Sequence, residues 1–103
     1  MIDGRLRPRA QKDVRNIVAY YEREAGAQIA IDFIESLESV IGFLDRNPDS
    51  GSLRWQHLSG AEGLRSWPLK GFPHLVFYVA RKDRIMILRV LHTSRDIPAS
   101  LRD

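Results

Sequence analysis

Residues 64–98 read LRSWPLKGFPHLVFYVARKDRIMILRVLHTSRDIP, and this stretch decides the fold of the chain. It contains three short apolar runs, at 64–69, 75–80 and 85–91, which are separated by the turn-like segments KGFP and RKDR. Runs of this length that are rich in Val, Ile, Phe and Tyr and bounded by Gly, Pro and Asp are typical of β-strands. The stretch therefore predicts a three-stranded antiparallel meander.

The second and third runs are apolar at nearly every position, which predicts that both faces of the sheet are at least partly buried. Pro68 cannot donate a ladder hydrogen bond, so the first run is expected at a sheet edge or at a frayed strand end. Strict alternation would place Arg89 on one face with three apolar residues, Ile85, Ile87 and Leu91. A cation in that position needs a partner or a wet cleft, because an unpaired buried charge is costly.

The upstream sequence predicts elements that cover this sheet. Segments 9–25 and 27–46 carry apolar residues at helical spacing and are separated by Gly26, which predicts an αα-hairpin. Alternation over residues 2–7 predicts a short strand, and residues 52–63 have no clear period. The predicted fold class is therefore α+β, of order β-α-α-β-β-β, with the helical hairpin packed on one face of a mostly antiparallel sheet.

Length and composition restrict the function classes. A chain of 103 residues is expected to form a single domain over residues 1–103. The absence of cysteine excludes disulfides and thiolate chemistry and favours a reducing cytoplasm, and no apolar run has membrane-spanning length. The net charge of +3 divides into −2 for residues 1–50 and +5 for residues 51–103. The basic half favours a polyanionic or acidic protein partner, although such charges also serve simply to solubilise strand edges.

Several chemistries lack their sequence signature. The histidines, His57, His74 and His92, are too widely spaced to place two metal ligands on one helix face, so neither a metal nor a cofactor is expected. The chain also has no phosphate-binding glycine loop and no Gly-x-Ser-x-Gly nucleophile. A cationic set on or beside the sheet remains as the candidate binding site: Arg65, Lys70, His74, Arg89, His92 and Arg95. Such a set can bind phosphates, stabilise a phosphodiester transition state or hold the carboxylates of a partner.

Arg89 needs a counter-charge because it lies inside an apolar strand. An internal bridge to Asp96, to Glu24 or to a backbone carbonyl is one interpretation, and an external partner is the other. The sequence leaves this choice open. After the last strand, a short polar tail is expected at 99–103.

The segment IMILRVLHTSRDIP closes a chain of this order, with LRSWPLKGFPHLVFYV before it and RPRAQKDVRNIVAYYEREAG near the start. Together these segments, within residues 5–98, resemble the ParE toxins of type II toxin–antitoxin modules, in the RelE/ParE superfamily. The resemblance implies a growth-inhibiting toxin that binds DNA gyrase without breaking bonds itself. It also implies a ParD-like antitoxin, whose disordered C-terminal segment folds along the toxin and should alternate acidic and apolar residues.

A RelE-like, ribosome-dependent mRNA endonuclease is the alternative. RelE-type relatives typically place a Tyr or His near the C terminus, and no such residue follows Arg95 here, which favours the ParE branch. Candidate catalytic residues for the alternative are His74, Arg89 and His92. A third class, a non-specific nucleic-acid-binding module, would need outward-facing aromatic residues, and at most one of Phe77 and Tyr78 can face outward.

Overall fold

The helical hairpin forms where the two amphipathic segments predicted it. In the computed structural model, which describes residues 2–102, helix α1 spans Pro8–Glu24 and helix α2 spans Ala27–Arg46. A proline at the start of α1 is favourable because the first helical N–H has no intrahelical acceptor. Gly26 adopts φ of 98° between the helices, a backbone conformation that glycine accepts without strain. No helix in the described part of the chain is long and apolar enough to cross a bilayer.

The sheet confirms the predicted fold class. Strands β1 (Arg65–Pro68), β2 (His74–Ala80) and β3 (Ile85–His92) form an antiparallel meander with β2 in the centre. β1 is an edge strand, as Pro68 predicted. The outer side of β1 is partly closed, because the backbone of Ser66 exchanges two 2.9 Å hydrogen bonds with that of Ser52.

A β-bulge changes which residues of β3 share a face. The register of the β2–β3 ladder shifts so that successive residues of β2 pair with Arg89 and Ile87, and the ladder skips Leu88. Ile85 and Ile87 consequently belong to the core on the helical side, whereas Leu91 belongs to the core on the other side. The prediction that Arg89 shares a face with Ile85 and Ile87 was therefore wrong, because one inserted residue reverses the alternation.

Both faces of the sheet are covered, as the unbroken apolar runs predicted. The helical side packs against Phe33, Leu37 and Leu44 of α2, which are fully buried. The other side packs against the short helix α4 (Ile97–Arg102) and against Trp55 and Ala61, which flank a second short helix, α3 (Gln56–Ser59). The polar tail expected at 99–103 was wrong in its described part, because Ser100 and Leu101 are buried and Leu101 belongs to this second core; Asp103 lies outside the described residues.

The predicted N-terminal strand was also wrong. Residues Asp3–Arg5 form one 3₁₀ turn, and only Leu6 bridges Ile87 of β3 in parallel. Side chains complete the closure of this sheet edge. Arg5 donates to the carbonyl of Ile85, and Asp45 accepts the backbone N–H of Ile85 at 3.0 Å. Arg5 and Asp45 also pair with each other. The outer edge of β3 is thus closed by isolated contacts instead of a fourth strand.

The hydroxyl of Tyr78 fixes the connection after α2 to the centre of the sheet. It donates to the carbonyl of Pro48 at 2.8 Å and accepts the N–H of Gly51 at 2.9 Å. Tyr78 is fully buried, and a Cβ on Gly51 would lie 2.5 Å from its hydroxyl oxygen. A glycine is therefore needed where the chain passes this hydroxyl.

We expect Tyr78→Phe to lower the free energy of unfolding by about 1–3 kcal/mol, because it leaves the Gly51 N–H and the Pro48 carbonyl without their partner. Urea denaturation measures the change. Tyr20→Phe is the matched control, since Tyr20 is 53% exposed and its variant should unfold like the parent. Equal stability of the Tyr78→Phe variant and the parent would contradict this role.

Candidate functional site

Arg89 is bound inside the protein. Its Nε and Nη2 donate to the two carboxylate oxygens of Asp13 at 2.8 and 3.0 Å, and its Nη1 donates to the carbonyl of Ser100 at 2.8 Å. Asp13 also accepts the N–H of Val90 at 3.0 Å. Both charged side chains are only 10% exposed. The bridge therefore joins α1, β3 and α4.

The internal interpretation of Arg89 is the one that the structure bears out, with a corrected partner. A backbone carbonyl was among the expected partners and is present, whereas the carboxylate comes from Asp13 and neither from Asp96 nor from Glu24. Asp96 instead accepts the N–H of Ala99 at 3.2 Å, at the start of α4. The tail is therefore held by Arg89 and by its own helix cap.

His74 and His92 are paired across the β2–β3 ladder, with ring centroids 5.2 Å apart. His74 is 4% exposed and packs edge-to-face against Phe33 and Tyr21. Its Nδ1 is the one buried side-chain polar atom in the described residues that has no hydrogen-bond partner. Burial, and secondarily the nearby His92, lower the pKa of His74 to about 4, so the ring is neutral at pH 7.

His92 is half-buried and faces the neighbouring loop. Its Nδ1 accepts the backbone N–H of Ser94 at 3.0 Å, which assigns the proton of the neutral ring to Nε2. The carbonyl of His92 accepts the N–H of Arg95 at 3.0 Å. This turn places the exposed Arg95 beside the end of β3.

The remaining two predicted site residues lie elsewhere. Arg65 donates to the carbonyls of Asp49 and Gly51, at 3.1 and 2.8 Å. Lys70 is exposed and lines a separate depression, about 510 Å³ in volume, with Asp32 and Glu35 of α2. The six predicted residues therefore do not line one depression: His74, Arg89, His92 and Arg95 line depressions beside α1, whereas Lys70 lines another beside α2 and Arg65 binds the loop after α2.

Three adjoining depressions follow one side of α1 and constitute the candidate site. The apolar groove, of about 370 Å³, is lined by Pro8, Ala61, Leu64, Leu88 and Leu101, with Arg7, Arg9 and Arg89. The cationic pocket, of about 270 Å³, is lined by Arg9, Lys12, Asp13, Asn16, Arg89 and Arg95. The aromatic cleft, of about 460 Å³, is lined by Asn16, Ile17, Tyr20, Tyr21, Pro73, His74 and His92.

Shared residues join these depressions into a continuous surface, which we call the α1 tract. Arg9 and Arg89 line both the groove and the pocket, and Asn16 lines both the pocket and the cleft. The α1 tract therefore passes from an apolar surface with exposed arginines, through a small polar pocket, to a cleft with aromatic walls.

The α1 residues of this tract were missed in the prediction because charged residues on an amphipathic helix usually form its solvated face. Arg9, Lys12, Asn16 and Tyr20 nevertheless follow each other at intervals of three or four residues. That spacing places them on one side of α1 and was the available signal. The described residues contain no group of three or more His, Asp or Glu side chains that could hold a metal ion.

Comparisons with known proteins identify relatives of the chain. The family model described as the ParE toxin of the type II toxin–antitoxin system, parDE, matches residues 5–97. A solved chain from the chromosomal ParDE system of P. aeruginosa has a similar fold, with a TM-score of 0.66 and 20% sequence identity. The match covers 84% of this chain and 90% of that one. No curated protein sequence is significantly similar to this chain.

We expect the stability of the protein to fall as the pH decreases from 6.5 to 4, in part because of His74. His74 binds a proton near pH 6.5 in the unfolded chain and only near pH 4 in the folded chain. The neutral ring therefore contributes its full stabilisation of the folded state above pH 6.5, and this stabilisation is lost as the pH falls toward 4. Its size is about 3 kcal/mol. The measurement is urea unfolding of the parent and of His74→Phe at several pH values.

As the pH falls, the parent should lose more unfolding free energy than His74→Phe, so the stability of the variant relative to the parent should rise. His57→Gln removes an exposed histidine and serves as the control, whose difference from the parent should stay constant. A parallel pH dependence for the parent and His74→Phe would show that His74 titrates normally.

Proposed function

Because the chain belongs to the ParE toxin family of type II toxin–antitoxin systems, we propose that it inhibits DNA gyrase by binding and that a ParD-like antitoxin neutralises it. The family match over residues 5–97 is the observation that carries this proposal. The similar solved chain belongs to a ParDE system, which supports an antitoxin partner. The protein would act in the cytoplasm, where gyrase and its DNA are found.

The apolar groove has the chemistry that an acidic, half-apolar antitoxin segment requires. Leu64 and Leu101 are buried beneath it, Leu88 is half-buried, and Arg7 and Arg9 are exposed beside it. A segment that alternates acidic and apolar residues can place its apolar side chains on the leucines and its carboxylates on the arginines. The groove is thus our proposed antitoxin-binding surface.

Addition of an antitoxin strand to the sheet is less favourable than binding in this groove. The outer edge of β3 is already occupied, since the carbonyl of Ile87 accepts the N–H of Arg7 and the N–H of Val90 binds Asp13. Asp45 and Arg5 occupy the backbone of Ile85. A partner strand would have to displace these contacts, so recognition by side chains is the better-supported mode.

The positions of the candidate catalytic residues support inhibition by binding over nuclease activity. Arg89 holds Asp13 and a backbone carbonyl, and His74 is buried and neutral. A phosphodiester-cleaving site needs a proton donor, a proton acceptor and a cation at the reacting phosphate. Of the three candidates only His92 remains accessible, so a nuclease would have to recruit its other groups from Arg95, Lys12 or a partner.

We expect micromolar toxin to inhibit gyrase-catalysed DNA supercoiling, and the cognate ParD-like antitoxin to restore it. Arg7→Glu combined with Arg9→Glu should weaken antitoxin binding at least tenfold, measured by calorimetry, because the carboxylates would then face like charges. Arg81→Glu combined with Arg84→Glu, at the β2–β3 turn, makes the same charge change away from the groove. This control should bind the antitoxin like the parent.

Uninhibited supercoiling at micromolar toxin would contradict gyrase as the target. If a translating extract instead showed ribosome-dependent mRNA cleavage that His92→Ala abolished, the nuclease alternative would replace it. Equal losses of antitoxin affinity in both charge-reversed variants would place the antitoxin outside the apolar groove.

A further inference from the structure

We propose that the cationic pocket and the aromatic cleft together bind a nucleotide unit, with its phosphate among Arg9, Lys12 and Arg95 and its base against Tyr20. The unit is either a free nucleotide or part of a single strand, which offer the same phosphate and base. This inference goes beyond the proposed function, since it requires neither gyrase nor an antitoxin.

The charge of the cationic pocket suits an anion. Asp13 contributes the pocket's only carboxylate, and Arg89 neutralises it through two hydrogen bonds. Arg9, Lys12 and Arg95 are exposed, and within residues 2–102 none of them forms a salt bridge. Three uncompensated cations around a small polar pocket favour a phosphate group, to which guanidinium groups bind in bidentate fashion.

The aromatic cleft offers a base both a stacking surface and hydrogen-bonding groups. Tyr20 is 53% exposed, although large aromatic side chains are usually buried, and its ring is held at 5.6 Å from that of Tyr21. Asn16 supplies an amide, and His92 supplies Nε2, because its Nδ1 is occupied by Ser94. Stacking on an aromatic ring accepts any base, so this cleft predicts affinity without strong sequence preference.

His74 gives a second, independent sign of a ligand in the aromatic cleft. Its ring forms part of the cleft wall, yet its Nδ1 is buried without a hydrogen-bond partner in the described residues. Leaving a buried polar atom unsatisfied destabilises the protein, and such atoms are uncommon in native structures. A polar group of a bound base that reached this nitrogen would supply its missing hydrogen-bond partner.

The distance between the two depressions fits one nucleotide unit with its neighbouring phosphate. Lys12 and Tyr20 are two turns apart on α1, about 12 Å along the helix axis. Asn16 lies between them and lines both depressions, and the Arg95 N–H bond to the His92 carbonyl fixes the opposite wall. The strand aromatics Phe77 and Tyr78 are both fully buried, so the stacking surface is on the helix and not on the sheet.

Fluorescence anisotropy with a labelled single-stranded oligothymidylate tests the proposal on the full chain. We expect binding that Tyr20→Ala weakens about tenfold, as the loss of one stacked base requires. Ile31→Ala is the matched control, because Ile31 is a 50% exposed apolar residue on α2, and it should not change the affinity. Circular dichroism of each variant verifies that the fold is retained.

The salt dependence distinguishes a built phosphate site from diffuse attraction to a basic protein. Lys12→Ala and Arg95→Ala should each reduce the slope of log affinity against log salt by about 0.7, the value for one lost contact to a single strand. Lys82→Ala, at the exposed β2–β3 turn, removes the same charge and should leave the slope unchanged. Competition with thymidine monophosphate shows whether the site binds a free nucleotide or a unit within a single strand. Displacement of the labelled strand by the mononucleotide indicates the first, displacement only by an unlabelled strand indicates the second, and both results support the proposal.

Three results would overturn the proposal. One is the absence of oligonucleotide binding at low salt. Another is an equal effect of Lys12→Ala and Lys82→Ala, which would reduce the interaction to net charge. The third is displacement by a polyglutamate peptide together with unchanged affinity of Tyr20→Ala, which would assign the cationic pocket to a carboxylate-bearing partner.

Discussion

The buried ion pair between Asp13 and Arg89 is the contact on which the arrangement of this protein depends. The hydrogen bonds of Arg89 and Asp13 connect the first helix, the last strand and the final helix. Desolvation offsets much of the attraction within a buried pair, so its contribution is largely geometric. It fixes where α1 crosses β3 and how α4 returns to the sheet, and loss of either partner would leave a buried charge.

This pair also determines the electrostatics of the surface outside it. Because Arg89 cancels the charge of Asp13, the exposed cations on the same side of α1 are not neutralised by the nearest carboxylate. The α1 tract therefore carries positive charge in its groove and its pocket, next to the aromatic surface of its cleft. Such a surface suits an acidic antitoxin segment at one end and a phosphate-bearing ligand at the other, and these two partners would compete where Arg9 is shared.

The elements that were predicted correctly depend on local patterns. Helices α1 and α2 and the three strands follow from periodicity within each segment, and the predicted second helix, 27–46, has the bounds of α2. The errors arise where a contact distant in sequence or a single inserted residue determines which side chains are buried. The skipped Leu88 reverses the alternation of β3, and the burial of Leu101 depends on a face of the sheet that no local pattern specifies.

The partner of Arg89 could have been found with a stricter reading of the helix. Asp13 lies three residues after Ala10 and four before Ile17, which places it at the margin of the apolar face and not on the solvated side. A carboxylate at that position predicts a buried cation opposite it. The α1 tract was harder to predict, since its walls come from α1, β3, α4, the start of β2 and the loops before β1 and β2, and only the tertiary fold brings these together.

A double-mutant cycle on Asp13→Ala and Arg89→Ala, followed by urea unfolding, tests most directly whether this pair organises the structure. The free energy of unfolding of each single variant should be lower than that of the parent by about 3 kcal/mol or more, because the remaining charged side chain is buried without its partner. The double variant should lose much less than the sum, with a coupling energy of about 2 kcal/mol or above. Additive losses, with a coupling energy below about 0.5 kcal/mol, would contradict the account.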